Sequence, residues 1–139
     1  MEIIANELQT VLSGANVQFT DTVVPGKTCT MHRPGSGLVS LRGITDQCRA
    51  RYKVSFGANI AVPTGGTVEA ISLAIAIDGE AIASTTMITT PAAVEEFFNV
   101  FGSIYLDIPR GCCSQISVKN TSTQSIEVQN ANLIVERVA

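Results

Sequence analysis

The chain has 139 residues, of which 45% are hydrophobic and 15% charged, and its formal net charge is −3. This length suits one domain that buries roughly two thirds of the surface its unfolded chain exposes. A negative net charge with scattered Lys and Arg argues against a dedicated nucleic-acid binder, which normally carries a basic stripe. Charged residues average about 25% of soluble domains, so their shortage here predicts that another subunit covers part of the surface.

The first fourteen residues form a segment that differs from the rest of the chain. Its apolar residues stand at helical spacing, and Ser13-Gly14 would end a helix. An extended arm fits equally well, because a short terminus stays disordered unless something holds it. In either form we expect residues 1–14 to dock on their own domain or on a neighbour, and residues 15–139 to form the folded domain. The candidate docking residues are Ile4, Leu8, Val11 and Leu12.

The start of the chain also lacks the marks of export. It has no basic region, no continuous apolar core and no small-residue cleavage site, and no run of about 18 apolar residues occurs anywhere. We therefore expect a protein made in a cytoplasm, with no membrane partner and with reduced cysteines. These thiols are expected to bind no metal, since their spacing and that of His32 do not fit a zinc site. They are Cys29, Cys48, Cys112 and Cys113.

Strand patterns begin at residue 16. NVQFTDTVV (16–24) alternates, with Val17, Phe19 and Val23 on one side, while residues 29–37 predict a loop and residues 37–43 a short strand. RYKVSFGANIAV (51–62) is the clearest strand, because apolar and polar residues occupy opposite faces. Its apolar face consists of Tyr52, Val54, Phe56, Ala58, Ile60 and Val62, and its polar face of Arg51, Lys53, Ser55, Gly57 and Asn59.

A hairpin is predicted within ISLAIAIDGEAIASTTMI (71–88). Asp78-Gly79 stands between two β-rich runs and suits a type I′ turn, which needs positive φ at both central positions. Ile77 should then pair with Glu80. The first strand is aliphatic on one face and mostly small on the other, so we expect packing on both sides, which points towards an assembly. The two faces are Ile71, Leu73, Ile75 and Ile77, and Val68, Ala70, Ser72, Ala74 and Ala76.

The stretch VEEFFNVFGSIYLDI (94–108) predicts a second strand with two apolar faces. One face carries Phe98, Val100, Ile104, Leu106 and Ile108, and the other carries Phe97, Phe101 and Tyr105. Aromatic residues are favoured anchors of buried interfaces. We expect the first face to fill the core and the aromatic row to meet another subunit. The alternative is an ordinary core on one side and a partial cover of loops on the other.

Two more strands are expected at 114–120 and 126–138. The chain then contains about eight strands, with turn signals every 8–15 residues and no crossover helices between them. This pattern predicts an all-β fold, an antiparallel jelly-roll sandwich preceded by a short N-terminal arm or helix.

The order of elements over residues 38–138 resembles the tumour-necrosis-factor/C1q-like jelly roll. Four features carry the resemblance: a long strand that contains aromatic residues, a hairpin with an I-D-G tip, a long strand leading into a glycine turn, and a closing strand. In this sequence they read RYKVSFGANIAVP, ISLAIAIDGEAIAS, YLDIPRG and ANLIVERV. The resemblance implies a compact homotrimer in which Phe97, Phe101 and Tyr105 lie near the three-fold axis.

Jelly-roll trimers without export signals are typical of virion parts, and the chain resembles capsid decoration and head-fibre proteins of tailed phages. This resemblance implies a structural protein of the virion, made in the host cytoplasm. Its partner there would be the major capsid protein, contacted through the docking residues of segment 1–14. The alternative is a binding module of a phage or bacterial surface appendage, whose loops at 28–37 and 44–50 would recognise a host glycan or receptor.

A catalytic constellation is not apparent. His32 is the single histidine and stands in a loop rich in Pro and Gly, without a partner for chemistry. The sequence has no G-x-S-x-G, H-E-x-x-H or P-loop motif. Glu95 and Glu96 are adjacent, so on a strand they would point to opposite faces. We therefore expect no enzymatic activity, no cofactor and no metal.

Overall fold

The computed structural model describes residues 1–27 and 29–139, which form a sandwich of two antiparallel sheets. The strands are β1 (Glu2–Ala5), β2 (Gln9–Val11), β3 (Asp21–Val24), β4 (Thr30–His32), β5 (Val39–Arg42), β6 (Arg49–Ala61), β7 (Ile71–Ile77), β8 (Glu80–Ala81), β9 (Met87–Thr89), β10 (Phe98–Pro109), β11 (Cys113–Asn120) and β12 (Ile126–Arg137). Sheet A has the order β10-β6-β12-β1-β3, with β2 also paired to β12. Sheet B has the order β4-β5-β11-β7-β8, with β9 also paired to β7. This architecture confirms the predicted all-β antiparallel jelly roll.

The described residues contain twelve strands, where the sequence predicted about eight. The strands that were missed include β1, β2 and β4, which have only three or four residues. Alternation is recognisable only over about four residues or more, so such strands leave no clear pattern. The described chain has one 3-10 turn, Ala83–Thr85, and no helix with the length and apolarity needed to cross a bilayer.

Residues 1–14 belong to sheet A. β1 pairs with β12 and β3, and β2 pairs with the start of β12. Ile3, Ala5 and Val11 are at most 3% exposed and lie in the core. Of the two forms expected for this segment, a helix or an extended arm, the helix is therefore wrong. An isolated helix of this length is marginal in water, whereas β12 offers backbone partners and the core accepts alternate side chains of the segment.

The alternation predicted for residues 16–24 holds only in part. Val17 and Phe19 are completely buried, as expected, but Val23 is 51% exposed. The strand begins only at Asp21, so Val17 and Phe19 precede it and do not share its alternation. β3 is also the edge of sheet A, with β1 as its partner, so one of its sides has no neighbouring strand.

β6 organises sheet A and the core. It pairs along most of its length with β10 on one side and with β12 on the other. Its side chains alternate as the sequence predicts. The inward residues Tyr52, Val54, Phe56, Ala58 and Ile60 are at most 1% exposed, and Arg51, Lys53, Ser55, Gly57 and Asn59 point outward. Because β6 lies between β10 and β12, its outward residues join the outer faces of these two strands.

The Asp78-Gly79 hairpin is confirmed. Asp78 and Gly79 have φ of 50° and 86°, and Ile77 pairs with Glu80. Asp78 Oδ1 also accepts a hydrogen bond from Gln115 N at 2.9 Å, which ties the turn to β11.

β7 is buried on both faces, as predicted, but within one chain. Ile75 on one face and Ala74 and Ala76 on the other are completely inaccessible. Lys119 stands opposite Ala74 on β11, and its Nζ donates to Gly79 O at 3.2 Å. The aliphatic stem of Lys119 therefore runs along the alanine face towards the hairpin tip. The alanine face is thus no indication of an assembly.

Asn120 is a completely buried polar residue that joins three segments. Its Nδ2 donates to Val11 O at 2.9 Å and to Gln124 O at 3.0 Å, and its Oδ1 accepts from Ser122 N at 2.9 Å. The amide therefore satisfies backbone groups of β2 and of the turn before β12.

We expect Asn120→Ala to lower the free energy of unfolding by about 2–4 kcal/mol, because three buried backbone groups lose their partner. Urea denaturation measures this change. The matched control is Asn6→Ala at an exposed asparagine, for which we expect a change within about 0.5 kcal/mol. Equal losses in the two variants would show that the buried amide network contributes nothing.

Candidate assembly surface

The outer face of sheet A consists of rows of side chains that cross β10, β6 and β12. The registers of the two pairings place the row Phe101–Gly57–Asn132 beside the row Ser103–Ser55–Ile134, with Asn99–Asn59–Gln129 on one side and Tyr105–Lys53–Glu136 on the other. We call the surface formed by these four rows the assembly surface.

Two aromatic side chains stand out from this surface. Phe101 is 67% exposed and Tyr105 60%, although both belong to the middle of a long strand. Phe101 lies across Gly57, since a Cβ at residue 57 would be 3.7 Å from Phe101 Cδ2. Ile134, 40% exposed, adds an aliphatic side chain two strands away.

The middle of the assembly surface is neutral. The three rows from residue 99 to residue 103 of β10 carry no charged side chain on β10, β6 or β12. Their polar groups bond to one another: Asn99 Nδ2 donates to Asn59 Oδ1 at 3.2 Å, and Asn59 Nδ2 donates to Asn130 Oδ1 at 3.3 Å. Ser55 Oγ and Ser103 Oγ are 3.1 Å apart. These hydrogen bonds within the surface lower the cost of removing its amides and hydroxyls from water.

Charged groups gather at one end of the face. Arg51 Nε and Nη2 donate to Asp107 Oδ1 and Oδ2 at 2.8 and 3.1 Å, and Arg49 Nε lies 3.3 Å from Oδ2. The hydrogen bond from Arg51 is the main cause that lowers the pKa of Asp107, and the same bond raises the pKa of Arg51. The assembly surface is therefore bounded at this end by a polar rim, as interfaces commonly are.

The three predicted interface residues fall in different settings. Phe101 and Tyr105 share the outer face, four residues apart. Phe97 precedes β10 and is half-buried, so it lies at the margin of the assembly surface. On the opposite face Val100, Leu106 and Ile108 are buried as predicted. Phe98 is not: it is the first residue of β10 and is 38% exposed.

The four predicted docking residues do not form one patch. Val11 is 2% exposed and belongs to the core, whereas Leu8 and Leu12 are 50% and 63% exposed in the turns around β2. Ile4 is half-buried on β1 and pairs with Asn132. It therefore continues the row of Phe101 across the sheet, which the sequence did not indicate.

Sequence reasoning missed the small and neutral residues of this surface. Ser55, Gly57 and Asn59 were assigned to an ordinary polar outer face. Their signal was present, because a run of outward residues with so little charge is unusual for an exposed strand. It became specific only when the register placed it beside Phe101 on one side and Ile134 on the other.

The described residues contain no cluster of three or more His, Cys, Asp or Glu that could hold a metal. His32 lies on β4, inside the stretch predicted as a loop, and Nε2 donates to Ser36 O at 2.9 Å, with Thr22 Oγ1 3.4 Å from Nδ1. The four described cysteines are free thiols. Burial is the largest single influence on the pKa of Cys29 and raises it, but the hydrogen bonds from Arg137, Tyr52 and the backbone, together with the charge of Arg137, lower it by more, so the net shift is downward.

The loops predicted to bind a ligand line two surface grooves. Residues 31–38 line one of them together with Ser40 and Gln115, and residues 44–47 line the other together with Arg137 and Ala139. Met31 and Leu38 give the first groove exposed apolar side chains, 58% and 39% accessible. Residue 28, the first of the predicted loop, lies outside the described residues.

The fold has counterparts among solved structures, although no protein-family model and no curated protein matches the chain. It is similar to Eiger TNF from S. frugiperda (TM-score 0.69, 12% identity, 100% of this chain and 92% of that chain covered). It is also similar to murine APRIL (0.65, 9%, 97% and 95%) and to the globular domain of zebrafish complement 1qA protein (0.63, 12%, 96% and 93%). The chain therefore has a tumour-necrosis-factor/C1q-like jelly-roll fold.

Proposed function

We propose that this protein is a non-enzymatic structural protein of a virion, a homotrimer that decorates a phage capsid or is attached to it. The trimer would form through the assembly surface. The observation that carries this proposal is the exposure of Phe101 and Tyr105, 67% and 60%, on a face whose three central rows carry no charge. Fully burying one such aromatic side chain stabilises a complex by roughly 1.5–3 kcal/mol.

Three copies of the chain are the occupants that fit this surface best. An aromatic centre, satisfied amides and a rim of Arg and Asp are the parts of a protein–protein interface. β10 is also the edge of sheet A and is twelve residues long. Proteins protect so long an edge, because unpaired backbone groups there invite association. Cyclic contacts between copies would cover the edge and close on themselves.

Size-exclusion chromatography with light scattering tests the trimer. We expect the mass of three 14.7 kDa chains at micromolar concentration. The complex should persist at high salt, since the centre of the surface is neutral and screening acts on charges. A protein that runs as a monomer at every concentration would overturn the assembly part of the proposal.

The place on the virion rests on the resemblance to decoration and head-fibre proteins. Leu8 and Leu12 support it, because they are exposed apolar residues in the turns flanking β2. Co-sedimentation with purified phage capsids is the test. We expect saturable binding of wild-type protein and loss of binding in a Leu8→Ser/Leu12→Ser double variant that still folds. No binding to capsids of the source phage would contradict a decoration role.

A binding module for a host glycan or receptor is the second candidate. The groove lined by Met31, Arg33 and Leu38 favours it, because it combines apolar and cationic side chains on a predicted recognition loop. A glycan array distinguishes the two roles. Reproducible binding that Arg33→Ala abolishes would favour the module over a purely structural role.

A further inference from the structure

Glu127 is a buried carboxyl group at the start of β12. The residue is 9% exposed, and its Oε2 has no hydrogen-bond partner among the described residues. Across sheet A it stands opposite Ala61 of β6 and Thr10 of β2. Glu95, in the segment between β9 and β10, lies beside it, because Glu95 N donates to the carbonyl oxygen of Val62, the residue that follows Ala61. The sequence placed Glu95 beside Glu96 and did not indicate this pairing.

Glu95 is fixed from its other side. Thr64 N and Thr64 Oγ1 donate to Glu95 Oε1 at 3.2 and 2.8 Å, and Glu95 N donates to Val62 O at 2.8 Å. Its φ is 60°, a left-handed conformation that costs free energy in a non-glycine residue. The surrounding contacts therefore hold this carboxyl group against Glu127.

Two neighbouring carboxyl groups cannot both ionise without strong repulsion. The residues that the described structure places around Glu127 supply no cation: Ala61 comes from β6, Thr10 from β2, and Glu95 from the covering segment. Burial and the neighbouring Glu95 raise the pKa of Glu127. Hydrogen bonds, chiefly from Thr64, lower the pKa of Glu95. The pKa of Glu127 is therefore shifted towards the protonated form and that of Glu95 towards the ionised form, as expected for two carboxyl groups that share one proton.

We propose that Glu95 and Glu127 share a single proton and form a carboxyl clasp, which holds residues 90–97 on sheet A and releases them when that proton is lost. The stability that protonated Glu127 contributes is complete below the ordinary Glu pKa and is lost as the pH rises through its raised pKa. The stability that ionised Glu95 contributes is lost as the pH falls through its lowered pKa. The clasp is closed between these limits.

The clasp controls the segment that leads directly into β10. Its opening frees Phe97 and the first residues of β10, at the margin of the assembly surface. The contacts of the clasp lie within one chain, so its action does not depend on whether the chain forms a trimer.

Amide hydrogen exchange at Thr64 and Glu95 tests the clasp, because both amides donate hydrogen bonds within it. Protection is measured at about pH 5.5 and about pH 8.5 and corrected for the intrinsic pH dependence of exchange. We expect protection in the wild-type protein to be lower at about pH 8.5 than at about pH 5.5, because the raised pKa of Glu127 means that its proton is lost as the pH rises. In Glu127→Gln the side-chain amide can donate to the Glu95 carboxylate at every pH, so protection should stay constant.

Glu96→Gln is the matched control, since Glu96 is the exposed neighbour of Glu95. It should keep the wild-type pH dependence. Equal protection of the wild-type protein at both pH values, or an unchanged pH dependence in Glu127→Gln, would overturn the clasp. Wild-type protection restored at about pH 8.5 by calcium would also overturn it, because a cation would then join the two carboxylates. The mass of the assembly is measured separately, so a failed clasp leaves the trimer proposal untouched.

Discussion

Phe101→Asp is expected to convert the trimer into folded monomers. The substitution places a carboxylate over Gly57, in the middle of a surface whose central rows carry no charge and offer it no cation. Burying an unpaired carboxylate costs several kcal/mol, and every ~1.4 kcal/mol weakens association about tenfold. Light scattering should therefore report the mass of one chain at micromolar concentration. The circular dichroism spectrum should remain that of a β-sandwich, because Phe101 is 67% exposed in the single chain.

Met31→Asp is the matched control for this prediction. Met31 is 58% exposed on β4, at the edge of sheet B. The same loss of an exposed apolar side chain and gain of a charge should leave the trimer intact there. If Phe101→Asp assembled as the wild-type protein does, the contact between subunits would lie elsewhere on the molecule.

Val11→Asp is expected to unfold most of the protein, whereas Leu12→Asp should leave it folded. Val11 is 2% exposed in the core and Leu12 is 63% exposed one residue later. A carboxylate at residue 11 would be buried without a partner at a cost of several kcal/mol, a large part of the ~5–15 kcal/mol stability of a typical domain. Thermal unfolding followed by circular dichroism measures both variants.

This pair of variants distinguishes a strand of the sandwich from a detached arm. For an arm that orders only on a neighbour, the two substitutions should be equally harmless to the isolated domain. For β2 as the structure places it, only the substitution at residue 11 is harmful. Leu12→Asp should instead weaken binding to a capsid if the turn that carries Leu12 takes part in docking.

The sequence predicts two kinds of element well: long strands whose apolar and polar residues alternate, and turns specified by the conformational preference of their own residues. β6 alternates over thirteen residues, and the Asp78-Gly79 turn specifies its hairpin by backbone conformation alone. β6 therefore agrees with the structure in its alternation, and the hairpin agrees in its turn and in the pairing of Ile77 with Glu80, although its second strand has only two residues. The aromatic side of β10 was recognised for the same reason, since Phe101 and Tyr105 repeat on one face of a long strand.

The N-terminal strands could not be predicted from local pattern. Their partner β12 begins more than one hundred residues later, and Ile4, Leu8, Val11 and Leu12 happen to match a helical period. The segment forms strands because it pairs with β12, and this long-range pairing is not visible in a single sequence. The proximity of Glu95 and Glu127 could not be predicted for the same reason, because the two residues are far apart in the chain.

The position of β12 has a consequence for how the protein is made. This strand lies between β6 and β1 and also pairs with β2, so sheet A has no continuous centre without it. All the other strands leave the ribosome before β12 does, and they include the apolar β1 and β6. Until β12 is synthesised, sheet A is limited to the separate pairs β10–β6 and β1–β3, and long-range β pairing of the kind that joins them is slow and exposed to aggregation. We therefore expect a nascent chain that stops before residue 126 to depend on chaperones, and to fold only when β12 follows.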